Sequence, residues 1–168
     1  MKLSSKTDQA LLRIKLLSLD VDGVLTDGGL YYDQNGMVMR KFNVRDGVGI
    51  EQLQKNGVEV AIISAGTSNS IIYRAKRLQI AHVFTAVKNK LATLQKLAKK
   101  LEIDFLHIAH IGDDINDIEV MKAVGCPITV ADGAKEVKNC AIIITEKDGG
   151  RGAVREVCDS VIALKNNC

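Results

Sequence analysis

Two aspartates stand one residue apart at the end of an apolar run, Leu16-Leu17-Ser18-Leu19-Asp20-Val21-Asp22-Gly23-Val24-Leu25-Thr26-Asp27. The run has the make-up of a buried parallel strand. In a continuing strand, Asp20 and Asp22 would point to the same side. Two carboxylates crowded beside a core are costly unless a cation or a reaction uses them. The end of a strand in an open α/β sheet is also where ligands bind. Taken alone, the pair could equally be turn residues ahead of Gly23, since Asp before Gly is common turn chemistry.

Three further places set polar residues beside apolar runs. Ser64 follows Val60-Ala61-Ile62-Ile63, Lys90 opens a helical pattern, and Gly112-Asp113-Asp114-Ile115-Asn116-Asp117 follows Ile108-Ala109-His110-Ile111. Each has a purely structural explanation. Ser64 could be a loop hydroxyl or a helix cap. Lys90 could be one more solvated lysine among Lys88, Lys96, Lys99 and Lys100. Asp113 or Asp114 could cap a helix, with Asp117 in its first turn, where the helix dipole favours acid. Brought together, however, three carboxylates, a hydroxyl and an ammonium suit a phosphate and a hard cation. Mg²⁺ takes oxygen ligands and commonly uses one or two carboxylates together with substrate phosphate.

The elements that must bring them together alternate along the chain. Strand-like runs at 14–19, 58–63, 81–84, 106–111, 126–130 and 141–145 interleave with helical patterns at 46–56, 68–78, 88–101, 114–123 and 153–163. Leu91, Leu94, Leu97, Ala98 and Leu101 mark one face of the 88–101 helix. Repeated strand–helix units build a parallel sheet covered on both faces, with all strand C-termini on one edge. Asp20, Asp22, Ser64 and Asp113 would meet there, and Lys90 would reach in from a helix start. Segments 29–33 and 37–43 flank Gln34-Asn35-Gly36, whose Asn-Gly signals a hairpin. The expected fold is α/β, a doubly wound Rossmann-like parallel sheet with a β-hairpin insertion and no separate cap domain.

A length of 168 residues suits one domain, 1–168, and 46% hydrophobic residues argue against disorder. A net charge of +3, no Trp, and three each of Phe and Tyr give no footprint for nucleic acid. Cys126, Cys140, Cys158 and Cys168 form no CxxC pair, which suits reduced thiols in a cytoplasmic protein; Cys168 is expected to be exposed. The first ten residues are polar, with no signal-peptide core, and no run approaches membrane-spanning length.

Taken in order, Asp20-Val21-Asp22-Gly23-Val24, Ser64, Lys90 and the acidic 112–117 stretch resemble the four motifs of the haloacid dehalogenase superfamily of phosphohydrolases. The resemblance implies that Asp20 is the nucleophile, forming an aspartyl-phosphate, and that Asp22 is the general acid and then base. It implies that Ser64 and Lys90 hold the phosphoryl oxygens. It also implies Mg²⁺ on Asp20, the Asp22 backbone carbonyl and Asp113, with Asp114 and Asp117 orienting the loop. Longer strings at 20–28, 42–50 and 149–158 are similar to the capless 3-deoxy-D-manno-octulosonate 8-phosphate phosphatases of lipopolysaccharide sugar biosynthesis. That resemblance implies a homotetramer whose subunits help close one another's sites. Its sugar phosphate would lie against Asp22, Asn43, Val44, Arg45, Asp46, Gly47, Arg74 and Lys90. The glycine-rich stretch around Arg151 either reaches the site mouth or is a turn before the last helix.

Two positions depart from the pattern, which has Arg where this chain has Gly66 and Glu51. Arginines are natural forks for a substrate carboxylate. Losing two should weaken that grip, and Gly66→Arg is expected to improve turnover of the octulosonate. A nine-carbon keto-deoxy sugar acid 9-phosphate is therefore the alternative substrate. Two other classes remain, a non-catalytic oligomeric binding relative and a receiver-type phosphorylation domain. The intact acidic set argues against the first. The second places its acceptor Asp after a middle strand, whereas here the pair follows the first.

Overall fold

The computed structural model describes residues 5–167; Cys168 lies outside the described residues. Helix α1 spans Ser5–Leu12, a helix that the polar N-terminus did not suggest, and strand β1 spans Leu16–Leu19. A hairpin, β2 (Tyr31–Tyr32) and β3 (Val38–Met39), follows. Then come α2 (Val44–Lys55), β4 (Glu59–Ile63), α3 (Asn69–Arg77), β5 (His82–Phe84) and α4 (Lys90–Leu101). The chain continues through β6 (Ile108–Gly112), α5 (Ile118–Ala123), β7 (Cys126–Thr129), α6 (Lys135–Lys138), β8 (Ile143–Ile144) and α7 (Ala153–Asn166). The main sheet runs β5-β4-β1-β6-β7-β8, parallel at every pairing.

The strands are apolar on both faces because helices cover both. Leu17, Leu19, Val60, Ile62, Ala109 and Ile111 pack towards α2, α3 and α7 through Ile50, Leu53, Ile71 and Val154. Leu16, Ala61, Ile63 and Ile108 pack towards α4 and α5 through Leu94, Leu97, Ala98 and Val120. Strand β1 lies between β4 and β6, so the crossovers on its two sides run to opposite edges. Such a switch point leaves a crevice at the strand C-termini. The described residues contain no separate cap domain.

Several boundaries differ from the pattern reading, among them the 106–111 strand, which begins at Ile108 after a 3₁₀ turn, Phe105–His107, and the 141–145 strand, which shrinks to Ile143–Ile144; three others have local reasons. The hairpin strands shrink to two residues each, since β2 is exposed on both faces and gains little burial. Its loop closes through Asp33 Oδ1, which accepts from Asn35 N and Met37 N, with Gly36 at φ +76°. Helix α2 starts earlier because Asn43 Oδ1 caps Arg45 N. The 114–123 helix breaks into a 3₁₀ turn, Ile115–Asp117, before α5.

Candidate active site

Asp20 continues the β1 ladder by donating its N–H to the Ile111 carbonyl. By alternation it shares the α4 side of the sheet with Leu16 and Ser18. The strand does not reach Asp22. Leu25 N and Thr26 N both return to the Val21 carbonyl, and Gly23 sits at φ +85°. Asp22 is therefore presented by a turn, not by the continuing strand that the spacing suggested. The two aspartates still line one cavity of about 250 Å³ with Gly23, Ser64, Gly66 and Asp113. Ser64 is buried, its Oγ accepting from Gly66 N at 3.1 Å, and the cap of α3 is Ser68.

Lys90 is not a solvated lysine. It is the first residue of α4, behind the Asn89 cap, and only 4% exposed. Its Nζ donates to Asp20 Oδ2 and to Asp117 Oδ1, each at 2.7 Å. Asp117 is fully buried; it also takes His110 Nε2 at 2.9 Å and Asp113 N at 3.3 Å. With Nε2–H on Asp117, a neutral His110 can accept at Nδ1 from Ser18 Oγ, 3.1 Å away. A bonded line thus runs Ser18–His110–Asp117–Lys90–Asp20 from mid-sheet to the cavity. Asp117 does more than orient a loop: it holds Lys90 against Asp20. The helix-cap reading of the acidic stretch holds only for Asp114, whose Oδ1 accepts from Ile115 N.

Burial, and then the charge of Asp117, pushes the Asp20 carboxyl up against the opposing pull of Lys90. Burial also resists ionisation of Asp117, but the hydrogen bonds from His110 and Lys90, with the charge of Lys90, outweigh it and hold Asp117 low. Burial, followed by Asp20 and Asp117, raises Asp113 to about 7. One ammonium thus serves two carboxylates, and a third carries unbalanced charge. Oxygens of Asp20, Asp113 and Asp117 lie within 4.8 Å of one another. Since Lys90 and His110 occupy Asp117, the free ligand capacity belongs to Asp113 and Asp20. That all-oxygen, charge-rich set fits a hard divalent cation.

This charge balance predicts the behaviour of Asp113. A carboxylate whose folded pKa is raised weighs against the fold above that pH, and the penalty vanishes below its unfolded value of about 3.9. Metal-free Asp113→Asn should melt a few degrees above the parent protein at pH 8, an advantage that shrinks as pH falls from about 7 towards about 4. The same variant should need at least roughly tenfold more Mg²⁺ to fill the site. Melting curves in chelator and Mg²⁺ titrations check both halves; an unchanged Mg²⁺ requirement would remove Asp113 from the metal set.

Sequence reading missed Arg40. Its Nε and Nη2 clamp Asp22 Oδ1 and Oδ2 at 2.6 and 2.9 Å. A Cβ on Gly66 would come within 2.9 Å of Arg40 Nη2 and 3.2 Å of Asp22 Oδ2. The missing side chain at 66 is thus a seat already held by a guanidinium. An arginine introduced there meets a like charge, so the expected gain for Gly66→Arg does not stand. Glu51, the other departure, lies in a separate cleft with Gln54, Lys55 and Arg77.

The 43–47 segment and Arg74 are placed beside the site rather than in it. Asn43 Nδ2 donates to the Gly150 carbonyl, and Asp46 Oδ1 accepts from Arg155 N at the start of α7. Arg74 donates to the Asn43 carbonyl, lies 5.7 Å from the Phe42 ring centre, and fills the space that a Cβ on Gly47 would need. Val44 and Arg45 are exposed. Within one protomer, none of these residues lines the cavity that holds Asp20. The glycine-rich stretch docks on the turn after Asp22, through Gly150 N to the Val24 carbonyl. Arg151 stays 63% exposed, 3.9 Å from Asp27.

Residues 67–157 match the haloacid dehalogenase-like hydrolase family. The chain is 43% identical over 149 residues to 3-deoxy-D-manno-octulosonate 8-phosphate phosphatase KdsC of Escherichia coli strain K12, covering 89% of this chain and 79% of that protein. It is 40% identical over 158 residues to the Yersinia pestis KdsC, covering 94% and 84%. Among solved structures, the Moraxella catarrhalis phosphatase in complex with magnesium ion, phosphate ion and a KDO molecule superimposes with a TM-score of 0.95. It is 38% identical, over 98% of this chain and 95% of that one. The cobalt-bound Haemophilus influenzae phosphatase gives a TM-score of 0.91 at 37% identity, over 94% and 92%.

Proposed function

Since the chain belongs to the haloacid dehalogenase-like hydrolases, in the branch of the 3-deoxy-D-manno-octulosonate 8-phosphate phosphatases, we propose that it hydrolyses 3-deoxy-D-manno-octulosonate 8-phosphate through an aspartyl-phosphate. The observation that carries this is the cavity in which Asp20, bonded to Lys90, meets Asp22, Ser64 and Asp113. An Asp20 carboxylate oxygen attacks phosphorus and the bond to the sugar oxygen breaks. Asp22 gives that oxygen a proton, then takes one from the water that attacks the acyl phosphate, releasing phosphate and restoring Asp20. The Lys90 ammonium and Ser64 hydroxyl hold the non-bridging oxygens, where charge builds in the transition state. Asp20, Asp113 and the Asp22 backbone carbonyl would hold Mg²⁺, which would supply the positive charge that lets one anion approach another.

The enzyme works as a homotetramer in the cytoplasm, at a step of lipopolysaccharide sugar formation. Exposed apolar side chains on the hairpin and α3 support assembly: Leu30, Tyr31, Tyr32, Met37, Met39, Ile72 and Tyr73. Asn43, Val44, Arg45, Asp46, Gly47 and Arg74 meet the sugar in that assembly, as the edge of a site that one protomer leaves open. Cys126, Cys140 and Cys158 are free thiols, which suits a reducing compartment. No helix among the described residues is long and apolar enough to cross a membrane.

The seat at Gly66 keeps a second substrate in play, a nine-carbon keto-deoxy sugar acid 9-phosphate. A phosphate-release screen with Mg²⁺ decides between them. It should cover eight- and nine-carbon keto-deoxy acid phosphates, simple sugar phosphates and nucleotides. The highest kcat/KM is expected on the octulosonate; a clear lead for a nine-carbon acid would transfer the assignment to it.

A further inference from the structure

Arg40 has no part in the chemistry above, yet it sits on one of its central groups. Both Asp22 oxygens are in its fork. Its side chain is 4% exposed, and its third nitrogen, Nη1, finds no hydrogen-bond partner among the described residues. A buried donor without an acceptor is costly. The guanidinium is therefore short of one acceptor among the described residues. Gly66, whose missing side chain makes the seat, lines the cavity with Asp20 and Ser64, so Arg40 lies just behind that wall. Lys41, the next residue, turns away to Asp27 at 3.0 Å.

Asp22 cannot act in that grip. To protonate the leaving oxygen it must carry a proton on one of its own oxygens. A guanidinium is permanently charged, and its fork claims both. The fork must come away when substrate binds, and a buried arginine leaves one anion only for another. Lys90 and Ser64 already serve the phosphoryl group. The anion left over is the carboxylate of a sugar acid, which matches the arginine fork as Asp22 does.

Resting on the reading of the substrate as a sugar acid phosphate, we propose that Arg40 is a specificity-determining residue whose guanidinium passes from Asp22 to the substrate carboxylate. The acid group that identifies the substrate thereby frees the general acid. A sugar phosphate without a carboxylate leaves the fork closed and is turned over poorly. Specificity then arises in the chemical step as well as in binding.

The test compares kcat and KM of the full-length parent protein with those of Arg40→Gln, Arg40→Lys and Gly66→Ala. The substrates are 3-deoxy-D-manno-octulosonate 8-phosphate and glucose 6-phosphate, with Mg²⁺ present. The parent should favour the acid. In Arg40→Gln the ratio of the two kcat/KM values should fall at least tenfold, and Arg40→Lys should restore part of it. Gly66→Ala keeps the charge but crowds its seat, and should move the ratio the same way without loss of fold. A ratio kept within threefold in Arg40→Gln and Gly66→Ala, whatever their melting temperatures, makes Arg40 a packing contact and overturns the proposal. A parent protein with no preference for the acid overturns the substrate reading as well, so the two failures differ in which protein shows them.

Discussion

Asp20→Asn should abolish phosphate release, by a factor on the order of 10⁴ or more, and leave the fold intact. The amide has nearly the shape of the carboxylate. Its oxygen can still accept from Val21 N, which bonds Asp20 Oδ1 at 2.7 Å. It cannot attack phosphorus. The electrostatics also favour a folded variant, because removing one charge leaves Lys90 and Asp117 as a balanced pair at 2.7 Å. The melting temperature should not fall. Steady-state phosphate release and thermal melts of the purified variant are the measurements. Substantial residual release would take the nucleophile's role from Asp20, whereas an unfolded variant would mean that the acid itself supports the site.

Lys90→Met is expected to do damage on both counts. The thioether side chain fills most of the lysine's volume, so the main loss is charge. Asp20 and Asp117 would then face each other in a buried site without their shared ammonium. Breaking a buried ion pair costs about 3–5 kcal/mol, and a domain of this size loses roughly 2–4 °C per kcal/mol. The variant should melt roughly 6–20 °C lower at pH 8. The deficit should narrow as pH falls, because burial already pushes the Asp20 carboxyl up to about 6 and protonation removes the repulsion. Phosphate release should drop roughly 10²–10³-fold. Adding Asp117→Asn separates the two effects: the double variant should regain much of the stability and none of the activity. Recovery of activity would show that Lys90 acts on the fold alone.

The parts of the site that the sequence disclosed are those attached to apolar runs. Buried parallel strands read as unbroken apolar stretches, so the ends of β1, β4 and β6 were visible, and Asp20, Ser64 and Asp113 with them. Lys90 was found through the periodicity of the helix it begins. Its burial was not, since a lysine in a lysine-rich stretch looks solvated. Arg40 lies 18 residues from Asp22 across a hairpin, and no local pattern ties the two. His110 did leave a trace. It and Ser18 are the polar residues in β6 and β1, and they stand in direct register; two polar breaks in adjacent apolar strands are the signature of a bonded pair. The 43–47 segment stands apart, because it was named by resemblance and not from an apolar run. Within one protomer its Asn, Asp and Gly contact Gly150, the start of α7 or α3, which no pattern along the chain announces.

The dependence of the catalytic turn on the Gly150 loop has a consequence for a chain made from its N-terminus. The Val24 carbonyl, two residues past Asp22, waits for the N–H of Gly150, and Asp46 waits for that of Arg155. A ribosome will have delivered every acidic group of the site long before it delivers either partner. The central strand faces the same delay, because β1 cannot pair with β6 until some ninety residues later. A nascent chain therefore holds all its reactive carboxylates while the scaffold that would aim them is still missing. Catalysis becomes available only once the last helix has emerged and docked, so products of premature termination should be inert as well as poorly folded.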